Sequence, residues 1–175
     1  MAQIKDDVFS EAVAFGRFLA GVPQLVRRRM SVDEALAIVR DRLANRAAIF
    51  LSVMDQGVWG NPRSPYLALL NVAGVTRADV RELVSKEGLE GTLARLRSAG
   101  VYVSFEEFKG LQPIVRGSQR IDAALTDFDT PSSGGYYSSS TGGSTGPGRR
   151  VLLDLGHLEA LLPGRILVRE VQGVL

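Results

Sequence analysis

The chain has 175 residues, of which 45% are hydrophobic and 23% charged, and its formal net charge at pH 7 is +2. These values are typical of a globular protein, and the chain is long enough to bury a core within one domain. So small a net charge argues against a nucleic-acid partner. The one basic cluster, Arg27–Arg29, also lacks the interleaved aromatic residues of a single-strand binding platform.

The lack of cysteine, of a histidine cluster and of a long apolar run excludes several kinds of site and location. The sequence contains no cysteine, which excludes a disulfide framework, a thiolate nucleophile and a cysteine-based metal site. Its single histidine, His157, cannot form a zinc site alone, and we place no metal ligand in the chain. The early charges at Lys5–Asp7 argue against a signal peptide, and no apolar run reaches membrane-spanning length. We therefore expect a cytoplasmic protein without a membrane span.

In chain order, the first predicted elements are two helices. Apolar residues recur at helical spacing from Asp7 to Ala20, and Gly21–Pro23 predicts the end of that helix. Ser31 and Glu34 have the spacing of a capping box, which predicts a second helix starting there. Its inward-facing residues are Val32, Ala35, Leu36, Val39 and Leu43.

Further helices are predicted as far as residue 108. Pro65 is well placed as a first helical residue, and Thr76 opens the next helix with Asp79 in its first turn. Gly100 predicts the end of a separate helix marked by leucines, and Ser104–Glu107 is a second candidate capping box. The leucines are Leu89, Leu93 and Leu96.

Strands are predicted in the remainder of the chain. Arg120–Phe128, Val151–Leu155 and Arg165–Val171 are short apolar runs that favour strands. The expected fold is α/β and α-rich, with a helical region over residues 1–110. A small mixed sheet over residues 111–175 would then carry a phosphate loop at residues 138–150.

That loop is the part of the sequence that points to chemistry. Thr141–Arg149 concentrates glycine and hydroxyl residues, and Arg150 follows at once. Glycine lets backbone N–H groups approach an anion closely, and a guanidinium can hold a phosphate with two parallel hydrogen bonds. The same composition is also that of a flexible linker. A Walker A loop is excluded, because Arg149 and Arg150 stand where it needs Lys and Ser or Thr.

Five residues of this stretch resemble the phosphate loop of adenylate-forming enzymes, the superfamily of acyl-CoA synthetases, peptide-synthetase adenylation domains and luciferases. Three others depart from it, since Gly142, Gly148 and Arg149 replace the usual serine, proline and lysine. The most similar branch contains phenylacetate-CoA ligase and the acyl-protein synthetase of bacterial luminescence. The five matching residues are Thr141, Gly143, Ser144, Thr145 and Gly146.

Segments of the helical region resemble the same branch, namely Pro65–Leu70, Gly88–Leu93, Gly100–Val103 and Glu107–Gly110. In that branch an entry segment precedes the phosphate loop, and Ser104–Lys109 occupies its place. Lys109 is accordingly either a substrate or phosphate contact or a surface lysine beside a buried Phe108. Arg116 is likewise either a substrate or phosphate contact or a surface residue without a role in binding.

The resemblance implies activation of a carboxylic acid by ATP to an acyl-adenylate, which is then transferred to coenzyme A, a carrier protein or an enzyme cysteine. The loop residues from Thr141 to Gly146, with Arg149, would hold the β and γ phosphates. Mg²⁺ is implied as a cofactor. However, the glutamate that binds it, the ribose-binding aspartate and the late lysine cannot be placed in this chain. We expect the N-terminal part of a larger ligase that is inactive as this chain alone, and we assign no catalytic residue.

Two other functions remain open on the sequence. The chain would be a non-enzymatic interaction module if the Gly/Ser run were only a connector, with a partner protein binding its unpaired strands or apolar helix faces. A hydrolase using His157 with one of Ser138–Ser140 is less well supported, because the Gly-x-Ser-x-Gly pattern is missing.

Overall fold

A computed structural model of the chain describes the backbone of residues 2–129, 136–143 and 146–173. The protein is 69% helical, which confirms the predicted α-rich fold. Within the described residues the strands form two separate antiparallel pairs instead of one mixed sheet. No helix in this part of the chain is long and apolar enough to cross a bilayer.

The chain divides into two compact units. The first comprises Met1–Asp41 and Pro131–Leu175, and the second is the continuous segment Arg42–Thr130. The first unit contains helix α1 (Ala2–Arg27), most of α2 (Val32–Ala44), strands β3 (Tyr136–Gly143) and β4 (Gly146–Asp154), and α7 (Leu155–Val171). The second unit contains the remaining elements.

Helix α1 continues past the point where the sequence predicts its end. Pro23 lies inside the helix, although a proline removes one backbone donor and crowds the preceding turn. Gly21 sits so close to Leu155 that a Cβ atom at position 21 would lie 2.5 Å from Leu155 Cδ1. The glycine that suggested a helix end thus provides close packing between α1 and the start of α7.

Helix α7 occupies the run Arg165–Val171, for which a strand was predicted. The preceding Leu158–Leu162 is rich in residues of high helix propensity, and Pro163, inside the helix, is buried. Periodicity alone cannot distinguish a short apolar strand from part of a longer helix.

The second unit has a hydrophobic core to which several helices and a short hairpin contribute side chains. It contains α3 (Arg46–Met54), a π-helical turn (Asp55–Trp59), α4 (Pro65–Val72), α5 (Arg77–Ser98) and α6 (Phe105–Phe108). A hairpin of β1 (Ile114–Arg116) and β2 (Gln119–Ile121) follows, with Ile114 paired to Ile121. The buried core consists of Met54, Val58, Leu69, Leu70, Val80, Leu96, Val101 and Ile114.

The predicted helix starts are confirmed. Glu34 N–H donates to Ser31 Oγ at 3.2 Å, and Ser31 N–H donates to Glu34 Oε2 at 2.8 Å. Thr76 with Asp79, and Ser104 with Glu107, form the same reciprocal pair at α5 and α6. Pro65 is at the start of α4, as expected. These signals are reliable because each satisfies backbone donors that a helix end leaves unpaired.

Helix α5 is interrupted at one residue. Gly88 has φ +70° and ψ −177°, a conformation that only glycine adopts readily, and it separates the two helices predicted from the sequence. Thr92, fully buried, donates its Oγ1 hydrogen to Gly88 O at 2.7 Å. At the far end Gly100, with φ +87°, closes the helix, and Val101 N–H donates to Leu96 O at 2.9 Å.

The predicted strand Arg120–Phe128 is only partly a strand. β2 ends at Ile121, and Leu125–Phe128 forms a 3₁₀ turn. Asp127 explains the turn, since its Oδ2 accepts the Ala124 N–H at 2.8 Å. A local side-chain hydrogen bond of this kind gives the backbone an alternative to a strand ladder.

Candidate functional site

The glycine-rich stretch lies in an antiparallel β-hairpin. Strand β3 pairs with β4 from Tyr136 opposite Asp154 to Gly143 opposite Gly146. Thr141 is the cross-strand partner of Arg149, and Ser140 is that of Arg150. The backbone therefore brings the first and last residues of the candidate loop together at one end of the hairpin.

The ladder is irregular where the glycines cluster. Between the pairs Thr141–Arg149 and Gly143–Gly146 the register shifts. In that interval one residue of β3, Gly142, stands against two of β4, Pro147 and Gly148, which is the count of a β-bulge. Proline fits such a position because it has no N–H to give to the ladder. A bulge also turns backbone groups away from strand pairing, which is the first requirement of an anion-binding loop.

The predicted phosphate-binding residues are thus placed as follows. Thr141, Gly142 and Gly143 belong to β3, and Gly146 and Arg149 belong to β4. Ser144 and Thr145 lie outside the described residues. The stretch was expected as a loop between the predicted strands Arg120–Phe128 and Val151–Leu155, whereas its described residues are themselves paired in β3 and β4.

Aromatic packing holds the base of the hairpin against α1. The ring of Tyr137 lies 5.1 Å from the ring of Phe15 and 6.1 Å from that of Phe18, measured between centroids. Phe15 and Phe18 are on neighbouring positions of one helix face. These contacts fix the lower half of the hairpin independently of its glycine-rich tip.

Asp154 ends the hairpin and starts the following helix. Its side chain is buried, and Oδ1 accepts the His157 backbone N–H at 2.9 Å, which caps α7. His157 is an exposed residue in the first turn of α7, as the sequence suggested. Glu159, two residues further along α7, forms an ion pair with Arg28.

These contacts bear on the Mg²⁺ that the resemblance implies. Asp154, at the end of β4, and Glu159 are the carboxylates that follow the candidate loop closely in sequence, and each already has a structural partner. Across the described part of the chain, no three metal-ligating side chains come together. The described residues therefore do not fit the magnesium site of such a ligase.

The two secondary candidates, Lys109 and Arg116, have different surroundings. Lys109 Nζ lies 5.6 Å from the ring centroid of Phe105 and 5.4 Å from that of Phe108. Phe108 is 39% exposed and packs edge-on against Phe128, so the predicted burial of Phe108 is incomplete. Lys109 thus remains a surface cation held over aromatic rings.

Arg116 has a structural role. Its Nε donates to Gly100 O at 2.8 Å, its Nη1 to Val115 O at 2.8 Å, and its Nη2 to Tyr102 O. Nη1 also donates to Glu107 Oε1 at 2.7 Å, and the two side chains are only 12% and 9% exposed. The guanidinium is therefore engaged within the fold and is not available to hold a phosphate.

Sequence reasoning missed a cavity of about 340 Å³ in the second unit. Its walls come from four helical elements and the 3₁₀ turn, including Phe50, Val58, Tyr66 and Phe128. Burial raises the pKa of the Tyr66 hydroxyl above its ordinary value. Because these residues are widely separated along the chain, no local motif marks the cavity.

Comparison of the chain with models of known protein families, with curated proteins and with solved structures found no match. The resemblance of the loop to adenylate-forming enzymes therefore stays a prediction from its own residues.

Proposed function

We propose that this chain supplies the triphosphate-binding loop of an adenylate-forming ligase. One observation carries the proposal: the hairpin pairs Thr141 with Arg149 and Gly143 with Gly146, around a bulge at Gly142. The backbone of Thr141, Gly143, Gly146 and Arg149 is thereby brought together at one end of the paired strands. The flexible-linker interpretation predicts no such pairing.

The proposed chemistry is the transfer of AMP to a carboxylic acid. A carboxylate oxygen attacks the α-phosphorus of ATP, the bond from phosphorus to the pyrophosphate oxygen breaks, and negative charge moves onto pyrophosphate. Backbone N–H groups at Gly142, Gly143 and Gly146 would donate to the β and γ phosphates, together with the hydroxyls of Thr141, Ser144 and Thr145. Donors fixed in advance at the position of developing charge can lower a barrier by several kcal/mol.

Arg149 would neutralise the phosphates where the family uses lysine. A guanidinium offers a planar pair of donors instead of one point charge, so it favours bidentate contact with two phosphate oxygens. Phosphate binding survives this replacement more readily than a catalytic role that depends on lysine geometry.

The remaining partners belong to the same proposal. The acyl acceptor would be coenzyme A, a carrier protein or an enzyme cysteine, and the ligase would act in the cytoplasm. Triphosphate binding is the step assigned to this chain, and complete acyl transfer is assigned to the whole ligase.

The direct test is binding of ATP, pyrophosphate and AMP to the full chain by isothermal titration calorimetry. We expect ATP and pyrophosphate to bind and AMP to bind at least about tenfold more weakly, since AMP lacks the phosphates that the loop would hold. Arg149→Met should weaken ATP binding about tenfold or more. Arg165→Met is the matched control, because Arg165 is an exposed arginine of the same unit on α7.

Two results would contradict the proposal. Equal affinity for ATP and AMP would show that the phosphate chain is not recognised. Absence of ATP binding by a folded chain would favour the interaction module, in which the hairpin has no ligand of its own.

A further inference from the structure

The cavity of the second unit has the size and walls of a small-molecule site. Its volume of about 340 Å³ falls within the range typical of ligand pockets, which are mostly apolar with a few polar groups. Phe50, Tyr66 and Phe128 give it an aromatic lining, and Tyr66 and Phe128 meet edge-on with centroids 6.5 Å apart. An aromatic ring of a ligand would find both ring edges and ring faces to pack against.

One charged residue, Asp127, lines this cavity. Its side chain is 18% exposed, and Oδ2 accepts the Ala124 N–H at 2.8 Å. Among the described residues Arg63 is the cation close to it, with Nε 3.8 Å from Asp127 Oδ1 and a side chain 75% exposed. A distance of 3.8 Å is too long for a hydrogen bond, and so exposed a cation is strongly screened by water. The carboxylate therefore gives the cavity a negative end.

Cations are also favoured by the aromatic walls, because the face of an aromatic ring attracts positive charge. An anion would meet Asp127 and these ring faces without a compensating donor from a buried cation of the lining. Among ring-containing molecules small enough for the cavity, this charge pattern therefore favours those that carry a positive charge.

From these observations we propose that the second unit binds a small arylalkyl amine, with its ring in the aromatic cavity and its ammonium group on Asp127. This site is independent of the hairpin and of the proposed ligase activity, whose substrate carries the opposite charge. An experiment can therefore contradict amine binding while triphosphate binding is confirmed, or contradict triphosphate binding while amine binding is confirmed.

The test compares three probes that share one ring and differ in charge: phenethylamine, phenethyl alcohol and phenylacetate. Each is titrated into the nitrogen-15-labelled full chain and followed by two-dimensional NMR. The chain has a single tryptophan, Trp59, next to the cavity-lining Val58, so one indole cross-peak reports on the site. We expect phenethylamine to shift this peak and the backbone peaks of Phe50, Tyr66 and Phe128. Its affinity should exceed that of phenylacetate by about tenfold or more.

Matched variants identify the group responsible. Asp127→Asn removes the charge but keeps an oxygen to accept the Ala124 N–H, so it should reduce the preference for the amine to less than about threefold. Asp122→Asn is the control: it removes a carboxylate from the same stretch, with a side chain 85% exposed and outside the cavity, and should leave the preference unchanged. Leu93→Phe, at the cavity wall, narrows the space and should weaken all three probes while the fold is retained.

Several results of these titrations would overturn the proposal. No shifts with any probe would overturn the site, and equal or tighter binding of phenylacetate would overturn the proposed ligand class. If Asp127→Asn does not fold, Leu93→Phe still decides. Unweakened binding to a folded Leu93→Phe chain would place the ligand elsewhere and overturn the proposal.

Discussion

The guanidinium of Arg116 joins three parts of the second unit. It connects the end of α5, through Gly100 O, with α6, through Glu107, and with its own strand β1. The Arg116 hydrogen bond is the largest cause that holds the pKa of Glu107 below its ordinary value of 4.5. Glu107 also accepts the backbone N–H of Ser104, the N-cap residue of α6, so one ion pair links a helix start to a strand.

Replacing Arg116 by Met should lower the free energy of unfolding by about 2 kcal/mol at pH 7, because Glu107 and two loop carbonyls lose a charged donor. A carboxyl whose pKa is lowered by folding stabilises the fold fully above its unfolded value, and this contribution is lost as the pH falls through the lower folded value. Urea unfolding at several pH values should therefore show stability falling below about pH 4.5 in the parent and falling less in Arg116→Met.

The matched control is Arg120→Met, since Arg120 forms a 2.9 Å ion pair with Asp122 but is 66% exposed. Its effect should stay within about 0.5 kcal/mol. An Arg116→Met chain as stable as the Arg120→Met chain would show that the buried pair does not support the fold.

Gly88 gives a second test at the scale of one residue. Gly88→Ala should destabilise the chain by about 1–3 kcal/mol, because alanine strongly disfavours φ +70° with ψ −177°. Space is not the reason, since no atom lies within 4 Å of a Cβ at this position. Gly16→Ala in α1, which also has free space but helical geometry, should be neutral or stabilising by up to about 1 kcal/mol. Similar effects of the two substitutions on the urea midpoint would contradict the backbone explanation.

Among the elements, helix starts were predictable from the sequence, whereas of the predicted strands only Val151–Leu155 was largely confirmed, by β4. Ser31, Thr76 and Ser104 each act with an acidic residue three positions later, so their signal is local and complete in four residues. The strand predicted at Arg165–Val171 depended only on apolar residues, which are equally suited to α7. The length of α1 also depends on packing of Gly21 against Leu155, a contact between residues far apart in sequence.

The hairpin should depend on its aromatic base. Phe15→Ala and Tyr137→Ala are each expected to destabilise the first unit, and the double variant by less than the sum. The expected coupling energy is about 0.5–1 kcal/mol for this tilted ring pair, whose centroids are 5.1 Å apart. A double-mutant cycle from urea unfolding measures it, and strict additivity would mean that the two rings do not support each other.

For the whole molecule, the continuous second unit should fold by itself. Arg42–Thr130 contains its own buried core, with Leu69, Leu70 and Val80 almost fully enclosed. We expect this segment, produced alone, to give a helical circular dichroism spectrum and a sigmoidal urea transition. A gradual loss of signal would instead show that its core requires the rest of the chain.

The two candidate sites differ in how far the sequence could lead to them. The phosphate loop is a short contiguous run, so Thr141–Arg149 was visible as a motif, but its hairpin register and the bulge at Gly142 required coordinates. The cavity depends on Phe50, Tyr66 and Phe128, which only the fold of the second unit brings together.

Strand β4 passes directly into helix α7, without a connecting loop. Asp154 is both the last residue of the strand and the N-cap residue of the helix, so no linker residue separates the two elements. Helix α7 has 17 residues and is about 25 Å long. A tilt of about 10° at Asp154 would therefore displace the far end at Val171 by about 4 Å. A spectroscopic label at Val171 would therefore detect even a small tilt of α7 about this junction.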